Sequence, residues 1–335
     1  MGHNKTPLHD YTIELLALFK RAPNKQDAHR DARPILQAMA SDRACLRAAL
    51  AAQIRRRGGL NTRHFPALGL PIEHNAYFNL VANCFLPLPT GETDVTANSI
   101  HHHGDLLLST ATTFGPGYEH WRFTTPMAID KGRDLYSIDV IDRIMHGPHH
   151  VAFVDCFMPH AVMFPASLTV TFALWSSRYG VTWRDHLKHA PGVHAGEDWV
   201  RRTANRLGAS AALRINVEDY LDYYPEPGGL KGMPKRIQFR RGPNEDYLYS
   251  IFHILQRTGN EDLAPDDELL ARLPIDNPRL INQLRTDLRR GVPVACRLSE
   301  GLHWLDHMNF KIAEIERMLA DLKKVAPALR PANRV

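Results

Sequence analysis

The stretch Asn98–Asp105 reads NSIHHHGD and leads directly into Leu106–Thr112, a run of leucine, serine, threonine and alanine. Alternate side chains of a β-strand point to the same face, so we expect His101 and His103 on one face and His102 on the other. Two imidazoles two residues apart on one face offer a pair of ligands to a single metal ion. The stretch therefore predicts a metal site where a strand begins.

A third ligand has to come from another strand. His160 lies between two apolar, β-like runs, far enough along the chain for a small barrel to return it to the wall facing His103. A histidine triplet is also compatible with a surface loop or a buried hydrogen-bond network. Together with the β-rich surroundings, the pattern favours a metal centre formed by His101, His103 and His160.

The middle of the chain has the texture of an antiparallel β domain. Short runs rich in β-branched and aromatic residues alternate with Pro, Gly and Asn, which is typical of a sandwich or barrel. The predicted strands are Tyr77–Val81, Leu106–Thr112, Tyr136–Ile141, His150–Phe157 and Leu168–Trp175.

Helical periodicity flanks this region on both sides. Before it we expect three helices, the first starting near Tyr11, followed by Asp27–Met39 and Asp42–Ile54. After it we expect Trp183–His189, Glu197–Leu207, Tyr247–Arg257, Leu280–Arg290 and Leu298–Leu322. The predicted organisation is N-terminal helices over residues 1–60, a β-barrel over 61–178 and a mainly helical region over 179–335.

Several of these residues resemble the thiol dioxygenases of the cysteine dioxygenase type. Tyr77–Phe85 followed by Ser99–His103 is similar to the family's Phe-Asn-Leu strand and its Ser-Ile-His-x-His segment, and Pro159–His160 with Pro165–Thr169 is similar to its third-histidine region. The resemblance covers roughly residues 8–178. It implies an α+β fold with a cupin-type antiparallel β-barrel. It also implies a non-haem Fe(II) centre, held by His101, His103 and His160, that binds O2 and a small organic substrate.

The chain departs from that family at the positions that would recognise the substrate. No arginine stands shortly before the Phe78 strand, Leu108 stands where a cross-linking cysteine would fall, and Trp175 stands where an active-site tyrosine would fall. Candidate substrate-binding residues are therefore Tyr118, Arg122, Tyr136 and Trp175. The identity of the substrate and its oxygenation chemistry stay open.

Two other functions compete with a three-histidine oxygenase. His103 and Asp105 form an HxD pair, which with His160 would make the two-histidine, one-carboxylate triad of 2-oxoglutarate-type Fe(II) oxygenases. The arginine expected about ten residues after the distal histidine is missing from Thr169–Phe172. The other alternative is a non-catalytic ligand-binding or regulatory cupin, whose helical half signals or dimerises.

The charge and apolar content of the chain limit which binding partners and which cellular location are expected. The net charge of +5 is spread along the chain rather than concentrated on one element, so nucleic-acid binding is not expected. The first ten residues lack the apolar core of a signal peptide, and no apolar run is long enough to cross a membrane, so a cytoplasmic location is expected. The apolar spacing of Leu298–Leu322 indicates core packing or a homo-oligomer interface through the C-terminal helices.

Overall fold

The computed structural model describes residues 6–61, 67–183, 186, 221–234, 244–295 and 310–329. Within these ranges helices surround a β-rich middle. The predicted helix Glu197–Leu207, most of Trp183–His189 and the first half of Leu298–Leu322 lie outside the described residues.

Four helices precede the barrel: α1 Pro7–Arg21, α2 Lys25–Asp31, α3 Arg33–Ser41 and α4 Arg43–Arg55. The side chains of Asn24 and Asp42 cap α2 and α4 by accepting backbone N–H groups. The prediction of one helix over Asp27–Met39 is wrong, because α2 ends and α3 begins at Ala32. Pro34 lies in the first turn of α3, where a residue without an N–H starts a helix more readily than it continues one.

Thirteen strands are found in the described ranges, and they form two antiparallel sheets. In chain order, β1 to β13 are Leu68–His74, Asn79–Phe85, Ile100–His101, Leu106–Phe114, Tyr118–Phe123, Met127–Asp130, Leu135–Ser137, Val140–His146, Val151–Val154, His160–Val162, Thr169–Ser177, Leu221–Glu226 and Gly229–Pro234. The first sheet has the order β1-β2-β11-β4-β9, and the second has the order β6-β7-β13-β12-β3-β10-β5-β8.

The structure confirms the predicted α+β fold, with two antiparallel sheets flanked by helices. Four of the five predicted runs overlap one strand each, and Tyr136–Ile141 overlaps both β7 and β8. The hairpin β12–β13 lies in the C-terminal region that was predicted to be mainly helical. It joins the second sheet, where β12 pairs with β3 and β13 pairs with β7. Residues beyond 220 thus contribute directly to the wall that carries the histidine triplet.

The first sheet separates a hydrophobic core from a cavity. On β2, Leu80, Ala82 and Cys84 are fully buried in the core that the sheet shares with the N-terminal helices. The alternate residues line the cavity instead, and these are Asn79, Val81, Asn83 and Phe85. This alternation is the period-two pattern of a strand that is covered on one face and lines a cavity with the other.

Helices also follow the barrel: α5 Asn244–Arg257, α6 Asp267–Arg272, α7 Pro278–Arg289 and α8 Ile312–Leu329. Helix α8 covers the outer face of the second sheet, where Ile315 and Leu319 share a core with Trp121 and Phe123. Among the helices of the described ranges, none combines the length and the apolar character needed to cross a bilayer.

A buried histidine fastens α2 to the first sheet. His29 is fully buried, with its Nδ1 2.8 Å from Ser109 Oγ on β4 and its Nε2 3.0 Å from Ser176 Oγ on β11. Burial, assisted by the charge of Lys25, lowers the pKa of His29 from 6.5 to about 3. The imidazole is therefore neutral in the folded protein at every pH at which proteins are usually handled.

This shift predicts a pH-dependent stability. Below pH 6.5 the unfolded chain binds a proton at His29 that the folded chain does not, so the free energy of unfolding falls by up to about 1.4 kcal/mol per pH unit from this residue until the pH approaches 3. We expect His29→Gln, whose amide does not titrate, to lose less stability than the wild type between pH 7 and pH 5 in urea unfolding. Parallel pH profiles for the two proteins would contradict this.

Candidate metal centre and adjoining cavity

The shortest strand of the second sheet carries the first histidine. Strand β3 contains only Ile100 and His101, and it lies between β10 and β12. In the register of these pairs, His101 stands directly opposite His160 on one side and Asp222 on the other. Three segments that are distant in the chain therefore meet at a single residue of the sheet.

The structure brings His101, His103 and His160 together. One nitrogen from each ring lies within 4.8 Å of the other two, and the ring centroids are 4.5 to 4.9 Å apart. His103 Nε2 and His160 Nε2 are 2.8 Å apart. Two nitrogens that each lie about 2.1 Å from one ion, at right angles, are separated by about 3 Å. The arrangement thus fits one transition-metal ion with imidazole ligands.

The second nitrogen of two of these rings is already occupied. His101 Nδ1 lies 2.7 Å from the carbonyl oxygen of Ser99, to which it donates, so its Nε2 is the nitrogen left for a metal. His160 Nδ1 lies 2.9 Å from His120 Nε2, which likewise assigns the Nε2 of His160 to the centre. Such partners fix the tautomer and the orientation of a ligand ring.

A buried carboxylate supports the residue that orients His101. The hydroxyl of Ser99 donates to Asp222 Oδ1 at 2.6 Å, and both residues are buried. Asp222 lies on the β12–β13 hairpin, more than a hundred residues further along the chain. No local sequence pattern marks Asp222, since only the pairing of β12 with β3 brings it here.

His120 is neutral and supports His160 from behind. Burial, assisted by the charge of Arg122, lowers the pKa of His120 from 6.5 to about 4. When Nε2 of His160 binds a metal, its Nδ1–H donates to His120 Nε2, and the hydrogen of His120 must then sit on its own Nδ1. His120 was predicted neither as a ligand nor as a substrate-binding residue, although its alternation with Tyr118 on β5 was a usable signal.

A cavity of about 650 Å³ opens beside the three histidines, between the two sheets. This volume suits an organic molecule of moderate size. Of the predicted substrate-binding residues, Tyr118 and Trp175 line the cavity. The Trp175 ring meets that of His103 edge-on, with 4.5 Å between centroids. Leu108, which stands where the resemblance expects a cysteine, also lines it.

The structure does not bring Arg122 to the cavity. Its guanidinium forms an ion pair with Asp142 of β8 and donates to the carbonyl oxygen of Phe153 on β9, 2.9 Å away. Strands β8 and β9 are edge strands of the two sheets, so this side chain bridges the gap between them. The position of Arg122 indicates a structural role at the edge of the barrel.

Tyr136 and Asp105 also lie apart from the three histidines. Tyr136 packs against Tyr223, with 5.8 Å between ring centroids, at the core beneath α8. Asp105 Oδ2 accepts a hydrogen bond from Ser177 Oγ at 3.0 Å. Within the described residues, the three histidines form the only group of His, Cys, Asp and Glu close enough to hold one ion, so the triad of His103, Asp105 and His160 is not assembled.

Comparison with known proteins identifies neither a family nor a curated relative, since no family model and no curated protein matches. Among solved structures, the chain is similar to an uncharacterised conserved protein with a double-stranded β-helix domain from Klebsiella pneumoniae (10% identity, 36% of this chain and 87% of that chain, TM-score 0.22). It is also similar to hydroxypropylphosphonic acid epoxidase from S. wedmorenis, with 15% identity over 32% of this chain and 53% of that chain and a TM-score of 0.21. A further similar structure is oxalate decarboxylase from Lactobacillus farciminis, with 13% identity over 46% of this chain and 41% of that chain and a TM-score of 0.23. The chain spans about half or less of the length of these two enzymes.

Removing a ligand tests the centre. We expect His101→Ala and His160→Ala each to lower the bound metal from about one ion per chain to a small fraction, because two imidazoles hold a divalent ion far more weakly than three. Metal content is measured by mass spectrometry after anaerobic purification. His9→Ala, at an exposed position of α1, is the control and should keep the wild-type content. Full metal content in both barrel variants would contradict the assignment.

The hydrogen bonds that orient His101 can be tested separately from the ligands themselves. We expect Asp222→Asn and Ser99→Ala each to weaken metal binding by roughly tenfold, as loss of a partner that orients a ligand does. Because both changes break the same connection, the double variant should lose little more than either single one. Competition with a chromophoric chelator measures the affinity, and Ser250→Ala, a buried serine of α5, is the matched control. Additive losses would show that Ser99 and Asp222 act independently.

Proposed function

We propose that this protein is a non-haem Fe(II)-dependent oxygenase that acts on a small organic substrate with O2. The observation that carries the proposal is the convergence of three imidazole nitrogens, all within 4.8 Å of one another, beside a cavity large enough for such a substrate. The fold supports it, because cupin-type barrels hold metals and ligands between their two sheets.

The donor set favours a redox-active divalent metal. Imidazole suits iron, copper, nickel and zinc, and a bound Fe(II) supplies the electron transfer that activates O2. Three neutral ligands leave the charge of the ion uncompensated, so the site attracts an anionic head group such as a thiolate or a carboxylate. The residues of the chain contribute orientation, through Ser99 and His120, and exclusion of water, through the apolar cavity wall.

Within this class, the resemblance to thiol dioxygenases favours oxygenation of a thiol. Addition of both atoms of O2 to a thiol gives a sulfinic acid, in which sulfur loses four electrons and O2 gains four, so no further reductant is required. Leu108 and Trp175, at two positions where the family has functional residues, both line the cavity. The proposed thiol is therefore one that fits this wall rather than cysteine itself.

Oxygen consumption tests the proposal. We expect the Fe(II)-loaded protein to consume O2 in proportion to thiol loss when given a hydrophobic thiol such as benzyl mercaptan, and to act at least tenfold more slowly on cysteine. His160→Ala should abolish the stimulated rate, since it removes a ligand of the ion. The rate is followed with an oxygen electrode and the product by mass spectrometry.

Two controls separate enzymatic from solution chemistry. Zinc-loaded protein should not consume O2, because zinc has no accessible redox change. His9→Ala should retain the wild-type rate. If the iron-loaded protein consumes O2 no faster with thiols than without them, the thiol proposal is wrong. If the metal-free protein binds small molecules unchanged and the iron-loaded protein never consumes O2, the chain is a ligand-binding cupin instead.

A further inference from the structure

We infer that the cavity takes a ligand whose body is uncharged and largely apolar, with a hydrogen-bonding group placed to reach the amides of Asn79 and Asn83. The inference names the substrate class of the proposed oxygenase and rests on that function for its place in a reaction. Any anionic group of the ligand belongs at the end that faces the three histidines and requires the bound metal ion to balance its charge, so the metal-free cavity should disfavour it.

The cavity wall is built from apolar and aromatic side chains on three neighbouring strands. Strand β11 lies between β2 and β4, and each strand turns alternate side chains inward. The inward residues that give the wall its character are Val81 and Phe85 on β2, Leu106 and Leu108 on β4, and Trp175 on β11. Flat aromatic surface and branched aliphatic groups favour a ligand of similar polarity.

A charged ligand body would lose its hydration against this wall without gaining a compensating partner. Transfer of an ionised group to an apolar site is strongly unfavourable unless it is paired. The interior already shows this effect at His146, which contacts the ring of Tyr118 behind the cavity. Burial is the largest cause that lowers the pKa of His146 to about 3. The inner part of the barrel therefore disfavours charge.

The wall also offers specific neutral hydrogen-bonding groups. Asn79 and Asn83 place two amides among the apolar side chains on the inward face of β2. A carbonyl, hydroxyl or ether oxygen of the ligand would accept a hydrogen bond from one of these amides.

A matched pair of probes tests the inference on the full chain after the metal has been removed by chelation. We expect 2-naphthol, which is neutral at pH 7, to bind at least tenfold more tightly than 2-naphthoate, which has the same ring system and an ionised carboxylate. Isothermal titration calorimetry measures both affinities. Equal or tighter binding of 2-naphthoate, or no binding of either probe, would overturn the inference.

One substitution locates the binding and reverses its preference. Val81→Arg puts a cation on the cavity wall, so we expect it to weaken 2-naphthol and to make 2-naphthoate the better ligand. Ile141→Arg adds the same charge at an exposed position of β8 and should leave the wild-type preference unchanged. If both variants behave alike, the probes bind outside the cavity and the inference is wrong. Circular dichroism at pH 7 verifies that each variant is folded.

The two proposals fail in different ways. These titrations involve neither metal nor O2, so their result does not depend on whether the protein is an oxygenase. Tight binding of 2-naphthol by a protein that never consumes O2 supports the cavity assignment and removes the enzymatic one. Rapid O2 consumption with a substrate that carries charge along its whole length would do the reverse.

Discussion

The register of strand β3 is the constraint on which the site depends. Strand β3 has only two residues and is held by pairing on both sides. This pairing sets His101 directly opposite His160 on one side and opposite Asp222 on the other. Because side chains alternate along a strand, a shift of one residue would turn His101 away from the cavity and put Ile100 or His102 in its place. The hairpin β12–β13 therefore belongs to the metal centre as much as the histidine triplet does.

The second layer of hydrogen bonds explains why neutral imidazoles can converge here. Ser99 accepts from His101, Asp222 accepts from Ser99, and His120 accepts from His160 when that ring is a ligand. Each contact directs one nitrogen away from the cavity and leaves the other pointing inward. Burial keeps His120 unprotonated, so it can act as an acceptor at neutral pH. The geometry of the site is thus set by groups that do not themselves touch an ion.

The remainder of the barrel separates two environments. One end of the cavity holds the histidines, while its wall on β2, β4 and β11 is apolar and aromatic with isolated amides. Arg122 connects β5 to the two edge strands β8 and β9, instead of contributing its charge to the cavity. A site with this division suits a ligand with a polar or anionic head group and a neutral body, which is the combination that the two proposals describe.

Local patterns in the sequence determined most helices, six of the thirteen described strands and the proximity of His101 to His103, although β3 ends at His101 and His103 follows it outside the strand. These features depend on side-chain periodicity and on residues a few positions apart, which is why they could be predicted without a structure. Even so, the break at Ala32 was missed, although Pro34 in the first turn of α3 was a local signal for it. Nor could the ion pair of Arg122 with Asp142 be predicted, since alternation predicts a face but not a partner.

The tertiary structure alone decided which distant groups surround the histidines. Asp222 reaches Ser99 only through strand pairing across more than a hundred residues, and Asp105 is excluded from the centre by its contact with Ser177. Convergence of three imidazoles was foreseen from spacing, but their tautomers and supporting contacts depend on distances between separate strands. Sequence periodicity specifies the direction of a side chain. The register between paired strands that are distant in the chain specifies which groups that side chain contacts.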